Sequence, residues 1–297
     1  MESRRLVALV AATCASALGG CASSDEPSGG VGGTGGSGGL DAADDSSGTD
    51  ATDGSDATSD LDSSDAPAGA DWSCVGSVTL PTPVGTSCSL SMTLSDFATN
   101  AGVSGIAVKA CAKSDATCAN PIASGTTDAN GAVTLTDVPL GVSGFDGYLD
   151  ASGGGILPTL VYRSIPASKG LAGAHFPVLT SAEASGVATL LGTSIDATRG
   201  HVAGSAVDCS GNWPAGVMLG ASTADASTRG FYLVGGAPSA TATATDANES
   251  NGGGYLNLPV GTATVTAKVQ ATGVVSSSVD VQVRAGTMTL VYLFPTP

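Results

Sequence analysis

Seven cysteines, two histidines and a repeated Thr-Asp-Ala-Asn are the residues of this chain whose types and spacing could do chemistry. A catalytic nucleophile needs a base held beside it. His175 lies in Gly-Ala-His-Phe-Pro and His201 opens an alternating run, each without a Ser or Cys motif around it, so both read as structural. Gly35-Gly-Ser37-Gly-Gly39 matches the G-x-S-x-G nucleophile pattern by letter, yet no strand or helix pattern flanks it, and Gly/Ser repeats produce such matches by chance. Zinc would ask for paired C-x-x-C spacings, which do not occur. Asp53-Gly-Ser-Asp56 and Asp60-Leu-Asp62 lack the fixed ligand positions, central Gly and closing Glu of a calcium loop. Asp128-Ala-Asn130-Gly131 and Asp246-Ala-Asn248 read as turns: Asp and Asn hydrogen-bond their own backbone, and Gly131 supplies a positive φ. A glycosidase needs two facing carboxylates, and no spacing proposes a pair. The sequence therefore predicts no catalytic residue, no metal and no cofactor.

The charge is distributed unevenly along the 297 residues. Ten Lys and Arg stand against 26 Asp and Glu, a formal net charge of −16 that lacks the basic footprint of a nucleic-acid binder. Residues 22–70 are Gly, Ser, Asp, Ala and Thr with Val31, Leu40 and Leu61 as the sizeable apolar exceptions, and they hold 11 acids and no base. Such a segment cannot bury enough surface to offset its ordering entropy and is expected to be a disordered tether. Its r.m.s. span would be on the order of 40 Å. From Trp72 onward 13 acids face 8 bases, so the remainder is only mildly acidic.

Arg4 and Arg5 precede 13 uncharged, apolar residues, Leu6 to Leu18, too few to span a bilayer and suited to the core of a signal peptide. Leu18-Gly19-Gly20-Cys21 then resembles the lipobox of bacterial lipoproteins. The resemblance implies cleavage before Cys21, an acylated thioether on its sulfur, and membrane attachment through that lipid, since two or three chains anchor durably where one does not. Ala22 in place of Asp implies sorting to the outer membrane, on a face the sequence leaves open. Export implies an oxidising compartment in which disulfides persist. Pairs Cys74–Cys88 and Cys111–Cys118 are expected, with Cys209 left over, although connectivity does not follow from spacing.

The elements that must position these residues are strands. Thr262 to Lys268 and Ser278 to Val283 alternate apolar and polar residues, and Thr287 to Phe294 forms a further run stopped by Pro295. An internal repeat spans both halves. Gly105-Ile-Ala-Val108, Thr127-Asp-Ala-Asn-Gly131 and Val138-Pro-Leu-Gly141 recur in order as Gly216-Val-Met-Leu219, Thr245-Asp-Ala-Asn248 and Leu258-Pro-Val-Gly261. This succession resembles carboxypeptidase regulatory-like modules, which implies an all-β chain of two tandem transthyretin-like or Ig-like β-sandwiches, accessory rather than catalytic. The expected division is a signal peptide (1–20), Cys21 and tether (21–71), a first sandwich (72–180), a short linker with a helix capped by Thr or Ser near Glu183 (181–199), and a second sandwich (200–297).

The function expected from these readings is a non-catalytic, outer-membrane-anchored lipoprotein that presents two sandwiches to an envelope protein. The alternative is a module for a surface glycan or peptide, for which Trp213 and Tyr255 are the aromatic candidates.

Overall fold

The computed structural model describes residues 69–80, 82–246 and 252–297. The lipobox Leu18 to Cys21, the tether up to residue 68 and Asn248 lie outside the described residues. Nearly every element is a strand, and one central sheet of nine strands carries a three-stranded sheet on each face.

In the first half, β1 (Ser87–Asp96) turns Cys88, Leu90, Met92 and Leu94 inward at every second position, as the period of a half-buried strand requires. It lies between β4 (Ala132–Pro139), antiparallel, and β7 (Leu171–Val178), parallel, in the first small sheet. Opposite it stand β3 (Ala123–Thr126), β2 (Ile106–Ala112), β5 (Gly147–Gly153) and β6 (Thr159–Arg163), an antiparallel run that forms one end of the central sheet. Ile106, Val108, Leu135, Leu149 and Phe176 close the core between them.

The second half reuses this plan. Here β8 (Gly200–Ala206) lies between β12 (Gly253–Leu258), antiparallel, and β15 (Met288–Leu293), parallel, with β10 (Arg229–Val234) and β11 (Ala237–Ser239) continuing outward. The second small sheet holds β9 (Val217–Ala221), β13 (Gly261–Val269) and β14 (Val275–Val283). What the repeat alone does not anticipate is the join: β15 also pairs in parallel with β6, from Met288 opposite Thr159 to Tyr292 opposite Arg163. The two sandwiches thus share one sheet.

The strand at that join serves both cores. Met288 and Leu290 pack into the first core, and Val291 and Leu293 into the second. Alternate residues of a strand point to opposite faces, so the small sheet β4-β1-β7 covers one face of the central sheet and β14-β13-β9 the other. This accounts for the burial of β15, whose six residues are buried but for Tyr292, itself half-buried. A strand covered on both faces has no polar side to show.

The connection between the halves is helix α1 (Ser181–Leu190). Thr180 accepts the N–H of Glu183 at 3.2 Å and the Glu183 carboxylate accepts the Thr180 N–H at 2.6 Å, a reciprocal cap that satisfies two otherwise orphaned donors. Ala184 enters the first core, while Ala188 and Leu191 pack with Phe231 and Leu256.

The edges of the second small sheet are closed by hydroxyls from the central one. On β9, Leu219 donates its N–H to Tyr232 Oη at 2.8 Å and accepts from Tyr255 Oη at 2.6 Å. On β14, Gln282 donates its N–H to Tyr162 Oη at 3.3 Å and its carbonyl accepts from Thr289 Oγ1 at 3.1 Å.

Candidate functional site

The groups with the greatest chemical potential converge on three places, and in each they hold the fold together. The first is where the chain enters the body. Cys74 is bonded to Cys209, 135 residues away, and not to Cys88. The expected Cys74–Cys88 pair is thus replaced, and Cys209 is not left over. The reason is tertiary. Cys88 points into the first core at 6% exposure, whereas the segment around Cys74 lies on the second sandwich, with Trp72 against its core. The main chain repeats the attachment: Cys209 donates its N–H to Asp71 O at 2.8 Å, and Asp71 donates its own to Asp208 Oδ2 at 3.1 Å. The Asp71 carboxylate accepts from Ser73 and Ser210 hydroxyls, and these bonds, those from Ser73 foremost, hold it below the usual carboxylate range. Gly76 reaches the carbonyl of Thr296, so this strap lies beside the far end of the chain. Although residues 72–77 precede the first sandwich in sequence, they are seated on the second.

The second place is the loop closed by Cys111–Cys118, which pairs as expected. Asp115 organises it by accepting N–H bonds from Ala119 and Asn120, which keep its carboxyl below the usual range, that from Asn120 most. Arg284, from just beyond β14 of the other half, caps the loop. Its guanidinium donates to Ala116 O at 2.7 Å and to Tyr148 Oη at 2.7 Å, and pairs with Asp150 Oδ2 at 2.6 Å. Tyr148 in turn donates to Asp115 O at 2.6 Å and stacks on Tyr162 at 4.9 Å. Cys111, Cys118 and Asp150 are grouped closely enough to surround an ion. Their chemistry does not fit one, because both sulfurs are spent in the disulfide and the carboxylate neutralises Arg284.

The third place is the repeated turn. Asp128 Oδ1 accepts from the N–H groups of Asn130 at 2.8 Å and Ala132 at 2.9 Å, and Gly131 takes φ 76°. Asp246 Oδ2 accepts from Gly235 N–H at 3.2 Å in the second copy. Both copies bury their threonine. Thr127 Oγ1 accepts from Ile106 N–H at 2.9 Å and donates to Val103 O at 2.7 Å. Thr245 Oγ1 accepts from Val217 N–H at 2.9 Å and donates to Pro214 O at 2.9 Å.

Among the described residues, neither histidine is hydrogen-bonded to a Ser, Thr or Cys side chain. His175 lies mid-strand on β7, paired with Thr93, and burial lowers its pKa. His201 is fully buried, accepts the Asn257 N–H on Nδ1 at 3.2 Å and leaves Nε2 without a partner; burial pushes its pKa down to about 4. Asn257 itself sits at φ 59° and ties the connection before β8 to β12, accepting from Asp196 N–H and donating to Ser194 O. Trp213 rests edge-on against Tyr292 at 6.2 Å, and the Tyr255 hydroxyl donates to Leu219 O at 2.6 Å. Sequence reasoning missed Arg284, Asn257 and the two threonines. The threonines were within reach, since Thr heads both repeated tetrads; Arg284 and Asn257 carry no local signal.

No protein-family model matches this chain, and no curated protein matches it. Solved structures overlap it at low identity. The Bacillus anthracis TIE protein is 13% identical, with 72% of this chain and 35% of that one covered, at a TM-score of 0.24. The shaft pilin spaA from Lactobacillus rhamnosus GG is 12% identical over 71% of this chain and 99% of its own, at 0.23. GBS52, the minor pilin of Streptococcus agalactiae, is 12% identical over 71% and 97%, at 0.21. This chain spans about a third of the length of the first of these.

Proposed function

We propose that this chain is a lipid-anchored envelope protein whose role is structural: an acidic tether fixed to the outer membrane through Cys21 carries a braced, non-catalytic pair of β-sandwiches to a protein partner. The observation that carries this reading is the seating of residues 71–76. The chain emerging from the acidic segment is bonded covalently to the body at Cys74, which suits a part held by one end. Two disulfides suit the oxidising compartment that a signal peptide and lipobox imply.

The carboxypeptidase regulatory-like resemblance supports the same reading. The threonine posts of the two Thr-Asp-Ala-Asn copies hold equivalent places, consistent with a duplicated sandwich module divided near the α1 connection. Cys74, Cys209, Cys111 and Cys118 with Asp115, Asp150 and Asp208 are engaged in bracing these modules, which favours a structural role over a hydrolytic one.

Cys21→Ser decides the anchoring. The wild-type chain should stay with membranes through a carbonate wash and incorporate labelled palmitate, and the variant should do neither. A variant that remains in the washed membrane would refute the lipid anchor.

A further inference from the structure

We propose that the strap at residues 71–76 and the Cys74–Cys209 disulfide form a mechanical coupling, which delivers tension from the acidic segment directly to the second sandwich and keeps it off the backbone of β1 to β7. The proposal rests on the anchored reading above, which makes the N-terminal side the direction from which tension arrives.

The argument starts from chain order. Strands β1 to β7 and helix α1 all lie between Cys74 and Cys209, and the bond joining those cysteines closes a separation of 135 residues. Force entering before Cys74 therefore crosses two sulfur atoms without running along the backbone of β1 to β7, and the pairing of the first sandwich that it meets is that of β6 with β15, near the far end. The strap adds non-covalent contacts to the same receiving loop, from Asp71 to Cys209 and Asp208. The receiving end is well placed: Cys209 follows β8 by three residues, and β8 is an interior strand, paired on one side with β12 and on the other with β15. In the reduced chain the entry strand would instead be β1, interior to a sheet of three strands where β8 is interior to one of nine. Without the disulfide, tension would run through residues 77–86 into β1 of the small sheet, and the first sandwich would be pulled apart from its N-terminal side.

Single-molecule pulling on the chain with Cys21→Ser, through handles at the N-terminal side of the acidic segment and after Pro297, tests this. In the oxidised chain, unfolding should release only residues beyond Cys209, roughly 300 Å at about 3.4 Å per residue. In dithiothreitol a further release of roughly 460 Å should appear, and the first rupture should occur at lower force. Equal released lengths in the two conditions would overturn the proposal, and so would a first rupture at unchanged force. The handles replace the lipid, so the result is independent of the carbonate wash, which tests the anchor alone.

Discussion

Thr127 and Thr245 occupy equivalent posts in the two halves of the molecule. Each hydroxyl accepts the N–H of the first residue of a strand, Ile106 of β2 or Val217 of β9, and donates to a carbonyl three residues earlier, Val103 or Pro214. Both side chains are at 5% exposure. Thr→Val keeps the volume and strips both bonds, leaving a buried N–H and a buried carbonyl without the hydroxyl that serves them. Each substitution should cost about 2 kcal/mol, and Thr→Ser should restore most of it. Urea unfolding of the four variants checks this; Val variants as stable as wild type would refute the posts.

Ser277 makes the opposite case. It is fully buried on β14, opposite Ala267, and its hydroxyl finds no partner. A buried hydroxyl without a hydrogen bond is a net cost, so Ser277→Ala should stabilise the protein by about 1 kcal/mol. A lower urea midpoint in the variant would count against this account of the core.

Acid should weaken the fold through His201. Its folded pKa is depressed to about 4 by burial, against about 6.5 when unfolded. Between these values the unfolded chain binds the extra proton, so stability falls as pH falls from about 6.5 to about 4 and is then fully lost, a contribution of about 3 kcal/mol. His175, whose pKa burial also lowers, acts in the same direction. His201→Asn retains an acceptor for the Asn257 N–H and removes the titration, so its stability should vary less with pH across that window. An unchanged slope would place the acid sensitivity elsewhere.

The two disulfides should differ in worth. By loop entropy the 135-residue separation of Cys74–Cys209 is worth about 5 kcal/mol and the short Cys111–Cys118 loop about 2.5 kcal/mol. Cys209→Ser should therefore lower the unfolding midpoint more than Cys118→Ser. A non-reduced digest should yield a 74–209 cross-linked peptide, and one linking Cys74 to Cys88 would refute the assignment.

What the sequence disclosed was whatever depends on neighbours in the chain. The alternation of Thr262 to Lys268 marks β13 because period-two patterning follows from the pleat itself. Thr180 and Glu183 mark a helix start because the cap is three residues long. Cys111 and Cys118 lie seven residues apart, and a short loop brings them together. Cys74–Cys209 escaped because it depends on the strap crossing to the second sandwich, which no local pattern encodes. The same holds for Arg284, whose partners Tyr148 and Asp150 lie 136 and 134 residues away. The run Thr287 to Phe294 marked a strand, but neither its burial on both faces nor β6 as its neighbour, since both depend on the other half of the molecule.

The hydroxyl caps on Leu219 and Gln282 bear on life in a crowd. Copies held by lipid in one membrane would meet at high two-dimensional concentration, where an open strand edge invites pairing with the next molecule. Tyr232, Tyr255, Tyr162 and Thr289 occupy backbone groups through which β9 and β14 would pair. The central sheet ends in β3, four residues long, and β11, three residues long with Pro238 in its middle. Such edges favour molecules that stand side by side without fusing into a shared sheet.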